Sequence, residues 1–369
     1  MPAACCLLIL LLCSCQGKIE EVRTPTTYVG ADACVPCHPE AYRDWQGSLH
    51  QRSMQVPSAE TVRGDFTDDN VYTYKGLTSR MFVKDGAYYM ETDGQDGKRG
   101  TYRIDYLIGD RDTQWYLATL EGGRIQVLPA YWDVREKTWY DPVEGLFDRS
   151  EGFKPEEINY WTNFGRNWNF QCYDCHASQI EKRFDPETGG YDTRWRDLSI
   201  NCETCHGPGG RHVSFWKSLP ERIGARDTTL VNLKFLSPEQ SVEVCAQCHA
   251  HKRIIGSGYR PGDPFYDYYE PELLDSEKFW PDGRYRALNY NTLAFFMSPC
   301  YTVGRLSCTG CHESHHLGPV QEAGETRTAS YEQVCMNCHR LDVGEVPERH
   351  SHHKTVGCVG CHMPPLDEV

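Results

Sequence analysis

Nothing in this chain of 369 residues is apolar for long enough to cross a bilayer as a helix. The longest apolar run, residues 3–15, has 13 residues, where a span needs about 20. Positive charge is also short: 38 Lys and Arg against 52 Asp and Glu leave a formal net charge of -14. A surface of that sign repels phosphate and argues against nucleic-acid binding. Aliphatic side chains are few as well. Hydrophobic residues make up 39% of the sequence, but that figure includes the aromatics, at 12%, and 19 cysteines. Something other than Leu and Val must therefore fill the interior. Histidine and cysteine are missing altogether from Met54 to Phe170. There is no helical repeat array, which makes an interaction scaffold the weakest reading, and no recognisable catalytic constellation, so catalytic residues stay unassigned.

What is present is cysteine in a fixed pattern. Four of the 19 (Cys5, Cys6, Cys13, Cys15) lie in the leader. Of the other 15, fourteen form seven C-x-x-C-H units, and only Cys300 is left over. The units are Cys34-Cys37-His38, Cys172-Cys175-His176, Cys202-Cys205-His206, Cys245-Cys248-His249, Cys308-Cys311-His312, Cys335-Cys338-His339 and Cys358-Cys361-His362. This is the attachment signal of c-type haem. Two thiols three positions apart reach the vinyl groups on one porphyrin edge, and the adjacent His turns under the ring to ligate iron. Paired cysteines also build zinc ribbons. Zinc needs no His directly after the second Cys, and all seven units carry one. The expected cofactor is seven covalent haems, with the motif histidines as proximal ligands.

Along the chain, residues 1–15 read as a signal peptide and 16–27 as a polar tether. Leu12-Cys13-Ser14-Cys15 resembles a lipobox, with Cys15 as the acylated residue. No Lys or Arg precedes the run, so a plain secretory leader is the alternative. Residues 28–60 form a first haem segment, opening a helix at Pro39. Residues 61–150 read as a β-rich, haem-free insert: 81–84 and 87–90 make a hairpin about Asp85-Gly86, with strands at 102–106, 114–118 and 124–128. It serves as a lid over haem edges or as a docking face. Residues 151–257 hold three haems, and Tyr160, Trp161, Phe164 and Trp168 fall at helical spacing ahead of the second motif. Residues 258–300 are a Tyr- and Pro-rich connector, and 301–369 hold three more haems. The fold class is a multihaem cytochrome c fold, with mostly short α-helices and irregular loops around stacked haems, plus the antiparallel β-rich insert. Met54, Met81 and Met90 are expected to pack rather than ligate, and Cys300 to be a small buried side chain.

Of 15 histidines, seven are proximal, leaving eight to supply the opposite axial positions. His50, His212, His251, His315, His352 and His353 are the distal candidates. His316, which adjoins His315, and His350 are the remaining two. Adjacent histidines do not both reach iron, so about six ligands face seven irons and one position stays open. Closely spaced motifs, such as those at Cys172 and Cys202, are expected to place consecutive haems side by side.

With Tyr28–His50, Gly122–Asp133, Cys202–His212 and Ser298–His315, the motif set resembles the multihaem cytochromes carrying cytochrome c-552/4 domains. It is similar to the haem portion of bacterial proteins that often continue into tetratricopeptide repeats. Tyr268 stands where the connector of such proteins commonly has a His, which implies that one haem lacks its expected distal ligand. The resemblance implies electron transfer outside the cytoplasm. The expected function is an exported heptahaem carrier, periplasmic or on the outer membrane or cell surface and lipid-anchored. It would pass electrons between redox partners such as a quinol-oxidising complex and a terminal reductase. The alternative is an oxidoreductase acting on a small nitrogen or sulfur oxyanion at one five-coordinate haem.

Overall fold

The computed structural model describes residues 27–67, 70–141, 151–218, 227–272, 279–280, 284, 290–312, 314–315, 334–335, 338–339 and 362. Ten strands lie between the first and second motifs: β1 (Met54–Gln55), β2 (Asn70–Tyr74), β3 (Leu77–Lys84), β4 (Ala87–Asp93), β5 (Arg99–Arg103), β6 (Tyr106–Ile108), β7 (Thr113–Thr119), β8 (Ile125–Val127), β9 (Tyr131–Asp133) and β10 (Thr138–Tyr140). One antiparallel sheet runs β2-β3-β4-β5, and the other runs β1-β6-β7-β9-β10 with β8 also paired to β7. The hairpin at Asp85-Gly86 forms with both residues at positive φ, 51° and 76°, as a two-residue turn between right-twisted strands requires. At Gly109, φ is +81° and a Cβ would lie 2.3 Å from the Thr113 carbonyl oxygen, so only glycine fits the β6–β7 turn.

Strand β7 separates two apolar cores. Its period of two sends Tyr116 and Ala118 into one cluster with Met81, Met90, Trp132, Trp139 and Trp161. Leu117 points the other way, into a cluster with Met54, Tyr131 and Trp168, against which Cys172 and Tyr173 pack. Tyr116 and Leu117 are both 0% exposed, so the strand is buried on two faces. The three methionines are buried in these cores. The second sheet thus lies directly over the second haem motif.

The helices are α1 (Pro39–Gln46), α2 (Trp168–Gln171), α3 (Tyr173–His176), α4 (Cys202–His206), α5 (Gly210–Lys217), α6 (Pro238–His249), α7 (Thr292–Met297) and α8 (Pro299–Thr302), of which α3, α4 and α6 carry the second, third and fourth motifs. Proline at the first position and a Ser237/Gln240 capping box start α6. The aromatic stripe at 160–168 is not one helix. Asn163 Nδ2 donates to the carbonyls of Pro155 (2.7 Å) and Glu157 (2.8 Å), and the Gly165 amide donates to the Ile158 carbonyl (2.9 Å). These bonds fold the segment into turns, which turns Tyr160 and Trp161 into the sheet core and Trp168 toward Cys172. Cys300, expected to be buried, is exposed on α8. Among the described residues, no helix is long and apolar enough to cross a membrane.

Candidate haem sites

The first five motifs sit at a helix or a tight turn, so the thiols and imidazole of each project from one local unit. Asn201 caps α4 by accepting from the Thr204 amide at 3.1 Å, fixing the third motif. Within the same motif, the Glu203 carboxylate is buried and accepts from the amides of Val29, Gly30 and Gly209 at 2.7 to 3.1 Å.

The imidazoles are oriented through one nitrogen. His176 Nδ1–H donates to the Ser53 carbonyl at 3.2 Å, and His206 Nδ1–H to the Val231 carbonyl at 2.8 Å. His212 Nδ1 pairs with the Asp227 carboxylate. A carbonyl can only accept, so in His176 and His206 the lone pair is left on Nε2, which suits a metal ligand. Burial lowers the pKa of His50, His176, His206 and His312, and so favours the neutral, ligating form.

Three motif histidines face three histidines outside the motifs. Ring centres are 6.1 Å apart for His38 and His212, 6.3 Å for His50 and His249, and 6.1 Å for His206 and His315. A metal holding two imidazole nitrogens at about 2 Å each puts the ring centres about 6 Å apart. Ordinary aromatic contacts also reach this separation, but each of these pairs joins one proximal His to one candidate distal His. The donor set therefore fits haem iron. His251 pairs instead with Glu272, its ring 5.3 Å from that of Tyr290. His176 forms no imidazole pair of this kind among the described residues. Tyr268, in the connector, donates to Asp263 at 3.2 Å and packs on Tyr259. His316, His350, His352, His353, Cys358, Cys361 and Cys15 lie outside the described residues.

Thiols of different motifs meet. Cys34 lies beside Cys202, Cys175 beside Cys248, and Cys245 beside Cys308, close enough for each thiol to act on the other. Cys202 thus lies beside the first motif, while Thr204 of the same motif hydrogen-bonds the Ser178 hydroxyl at 2.8 Å, two residues past His176 of the second. Burial raises the pKa of the Cys172 and Cys205 thiols. Among the described residues, no three His, Cys, Asp or Glu side chains converge on one point, as a zinc ribbon needs.

Sequence reasoning missed the groups that hold the ligands. The Ser53 and Val231 carbonyls have no side-chain signal. Asp227 and Glu203 look like ordinary surface acids. Lys252, only 5% exposed at its side chain, pairs with Asp174 at 2.9 Å inside the second motif, and nothing in its sequence context marks it.

Residues 153–207, which contain the second and third motifs, match the family model described as cytochrome c554 and c-prime. The chain resembles multihaem c-type cytochromes. Among curated proteins it is similar to the dissimilatory sulfite reductase MccA of Wolinella succinogenes, at 20% identity over 401 residues. That match covers 94% of this chain and 52% of the relative, so the chain spans about half the length of the curated protein it matches. Among solved structures it is similar to the outer cell wall cytochrome OcwA, with a TM-score of 0.50 and 19% identity over 84% of this chain and 62% of that one. It is also similar to the undecaheme cytochrome from the S-layer of Carboxydothermus ferrireducens, with a TM-score of 0.42 and 15% identity over 86% of this chain and 43% of that one. Haem c is the cofactor that the motifs and the family-model match support.

Proposed function

We propose that the chain is an exported heptahaem c-type cytochrome that moves electrons between respiratory redox partners. The observation that carries this reading is the pairing of His38 with His212, His50 with His249 and His206 with His315, with ring centres 6.1 to 6.3 Å apart. When bound, each haem supplies a one-electron couple at low potential, because bis-His ligation lacks the upward pull of a Met ligand. The protein's part is to orient the imidazoles through Ser53, Val231 and Asp227 and to bring the thiols of neighbouring motifs into contact. Those contacts link the first motif to the third, the second to the fourth and the fourth to the fifth. Cys205 lies within charge range of Cys245, and Cys311 within range of Cys335 and Cys338. The route we infer runs through motifs one, three, four, five and six, with the second branching from the fourth. An acidic surface suits a basic partner, such as a quinol-oxidising complex or a terminal reductase. Export and acylation of Cys15 are part of the proposal.

A second reading is an oxidoreductase acting on a small nitrogen or sulfur oxyanion at one five-coordinate haem. The curated relative is named as a sulfite reductase, which favours this class. Intact mass and electron paramagnetic resonance of the ferric holoprotein test both. A mass excess of seven porphyrins with every haem low-spin supports the carrier alone. A high-spin signal that shifts on adding nitrite supports the second reading, and a mass excess short of seven overturns the haem count.

A further inference from the structure

Within the imidazole pairs, the ligands are held by groups of different charge. His206 Nδ1–H donates to the Val231 carbonyl at 2.8 Å, and His50 meets the backbone of Ser314. His212 Nδ1–H donates instead to the Asp227 carboxylate. Of these three, His212 alone rests on a full negative charge. The difference is chemical as well as geometric, because a carboxylate draws on the imidazole proton more strongly than a carbonyl does.

The carboxylate is fixed from both of its oxygens. Oδ1 accepts from the Thr229 amide at 2.8 Å and the Thr229 hydroxyl at 2.6 Å. Oδ2 accepts from His212 and also from Trp216 Nε1–H, at 2.9 Å. His212 and Trp216 are four residues apart on α5, so they share a face of that helix and reach the same oxygen. The side chain of Asp227 is 9% exposed and that of His212 23%, so water screens their bond little. The ring of His212 lies 6.1 Å from that of His38 and at 27° to it. Trp216, Asp227, His212 and His38 thus form one line that ends at the first motif.

We propose that Asp227 is a positioning residue that makes His212 an electron-rich ligand and so lowers the midpoint potential of the haem carried by Cys34, Cys37 and His38, setting it below that of the haem at the third motif. This rests on the carrier reading above, in which His38 and His212 hold one iron. A charge-assisted hydrogen bond is roughly twice as strong as a neutral one, and a carboxylate behind a ligating imidazole raises its basicity. A more basic ligand favours ferric over ferrous iron, and the negative charge itself opposes an added electron. Trp216 works against this effect, because its N–H shares the oxygen that His212 uses. The first motif stands at one end of the inferred route, next to the third through Cys34 and Cys202. An electron received there runs downhill into the chain, which assigns the first motif to the end that faces the donor.

The test is a potentiometric titration of the full-length holoprotein followed by electron paramagnetic resonance, with His212→Ala and His315→Ala identifying the signals of the first and third haems. Asp227→Asn keeps the size of the side chain and an oxygen acceptor but removes the charge. It is expected to leave the first haem low-spin and to raise its ferrous-to-ferric ratio at a fixed potential about tenfold, a shift of about 59 mV for one electron. Trp216→Phe frees the shared oxygen for His212 and is expected to lower the same ratio severalfold. Opposite signs from two partners of one carboxylate are not what a merely structural anchor produces. Should Asp227→Asn fail to mature, Trp216→Phe still decides. A first-haem potential unchanged in the variants overturns the assignment, and so does a parent protein whose first haem is reduced before its third. If His212→Ala leaves every haem low-spin, the ligand pairing itself has failed, an outcome distinct from an identified first haem whose potential ignores Asp227.

Discussion

The Glu203 carboxylate accepts a 2.8 Å hydrogen bond from the Gly30 amide, 173 residues earlier in the chain. The same carboxylate takes the amides of Val29 and Gly209. One side chain inside the third C-x-x-C-H unit therefore fastens the approach to the first motif and the loop leading to His212. Replacing it by alanine strands three amides in a buried place, and each unsatisfied group costs about 1–3 kcal/mol. Partial access of water lowers the total. Glu203→Ala is expected to destabilise the holoprotein by about 3 kcal/mol, measured by urea unfolding followed in the far-ultraviolet circular dichroism. Glu203→Gln keeps an acceptor and should lose less. An alanine variant as stable as the parent would show that the clamp is not structural.

The imidazole pairs carry a sharper expectation. Substituting His50, His212 or His315 by alanine should convert one low-spin haem to high-spin in each case, without changing the number of haems the holoprotein carries. Substituting methionine should keep that haem low-spin and raise its potential by something on the order of 0.1 V, a fraction of the about 0.8 V that axial ligation commands. Potentiometric titration with resonance detection reads both effects. If His212→Ala leaves every signal in place, the pairing with His38 is wrong.

Why those pairs were hidden, while the motifs were plain, follows from the range of the interactions. A C-x-x-C-H unit is local: five consecutive residues and one chemistry. The Asp85-Gly86 hairpin is local too, set by turn preference and alternation. The partner of His206 is decided by a chain path that brings His315 beside it, and no spacing rule encodes that path. His212 could be suggested from the Gly207–Gly210 break that frees it, but its orientation comes from Asp227, on a loop of no distinctive composition. The stripe at Tyr160, Trp161, Phe164 and Trp168 misled for the converse reason. Its spacing imitates a helix, but the Asn163 side chain captures the carbonyls that a helix would use.

Asp110 joins the first haem segment to the insert. It is buried, and it accepts from Arg52 at 2.9 Å and from Arg63 at 2.7 to 2.9 Å. Arg52 immediately precedes Ser53, whose carbonyl takes the His176 Nδ1–H. Breaking a fully buried ion pair costs about 3–5 kcal/mol. Both arginines are about a third exposed and can rehydrate, so about 2 kcal/mol is expected for Asp110→Ala. The variant should also broaden the signal of the haem at the second motif and leave those of the third and fifth alone. A stability loss with no change at the second motif would break the proposed link from Arg52 to His176.

Acid should loosen the insert before the haem-bearing segments. Several carboxyls there are held below their ordinary range, among them Asp65 by hydrogen bonds from the Thr67 hydroxyl and amide, and Glu91 by those from Arg99 and Arg80. At Asp112 burial pushes the other way, but Arg111 and Arg135 outweigh it. A carboxyl whose folded pKa is depressed binds fewer protons folded than unfolded, so its contribution rises with pH. It is complete above the unfolded value of about 4 and is lost as the pH falls through the lower folded value. The buried histidines, also depressed, act in a separate window that begins near their unfolded value of about 6.5. Thermal unfolding between pH 7 and pH 3, followed by near-ultraviolet circular dichroism of the insert's Trp and Tyr, should show a second fall in Tm below about pH 4. Glu91→Gln should flatten that lower fall and leave the upper one unchanged. Since Glu91 is shared by two arginines, an identical acid profile in the variant would mean that this cluster does not govern the acid limit of the fold.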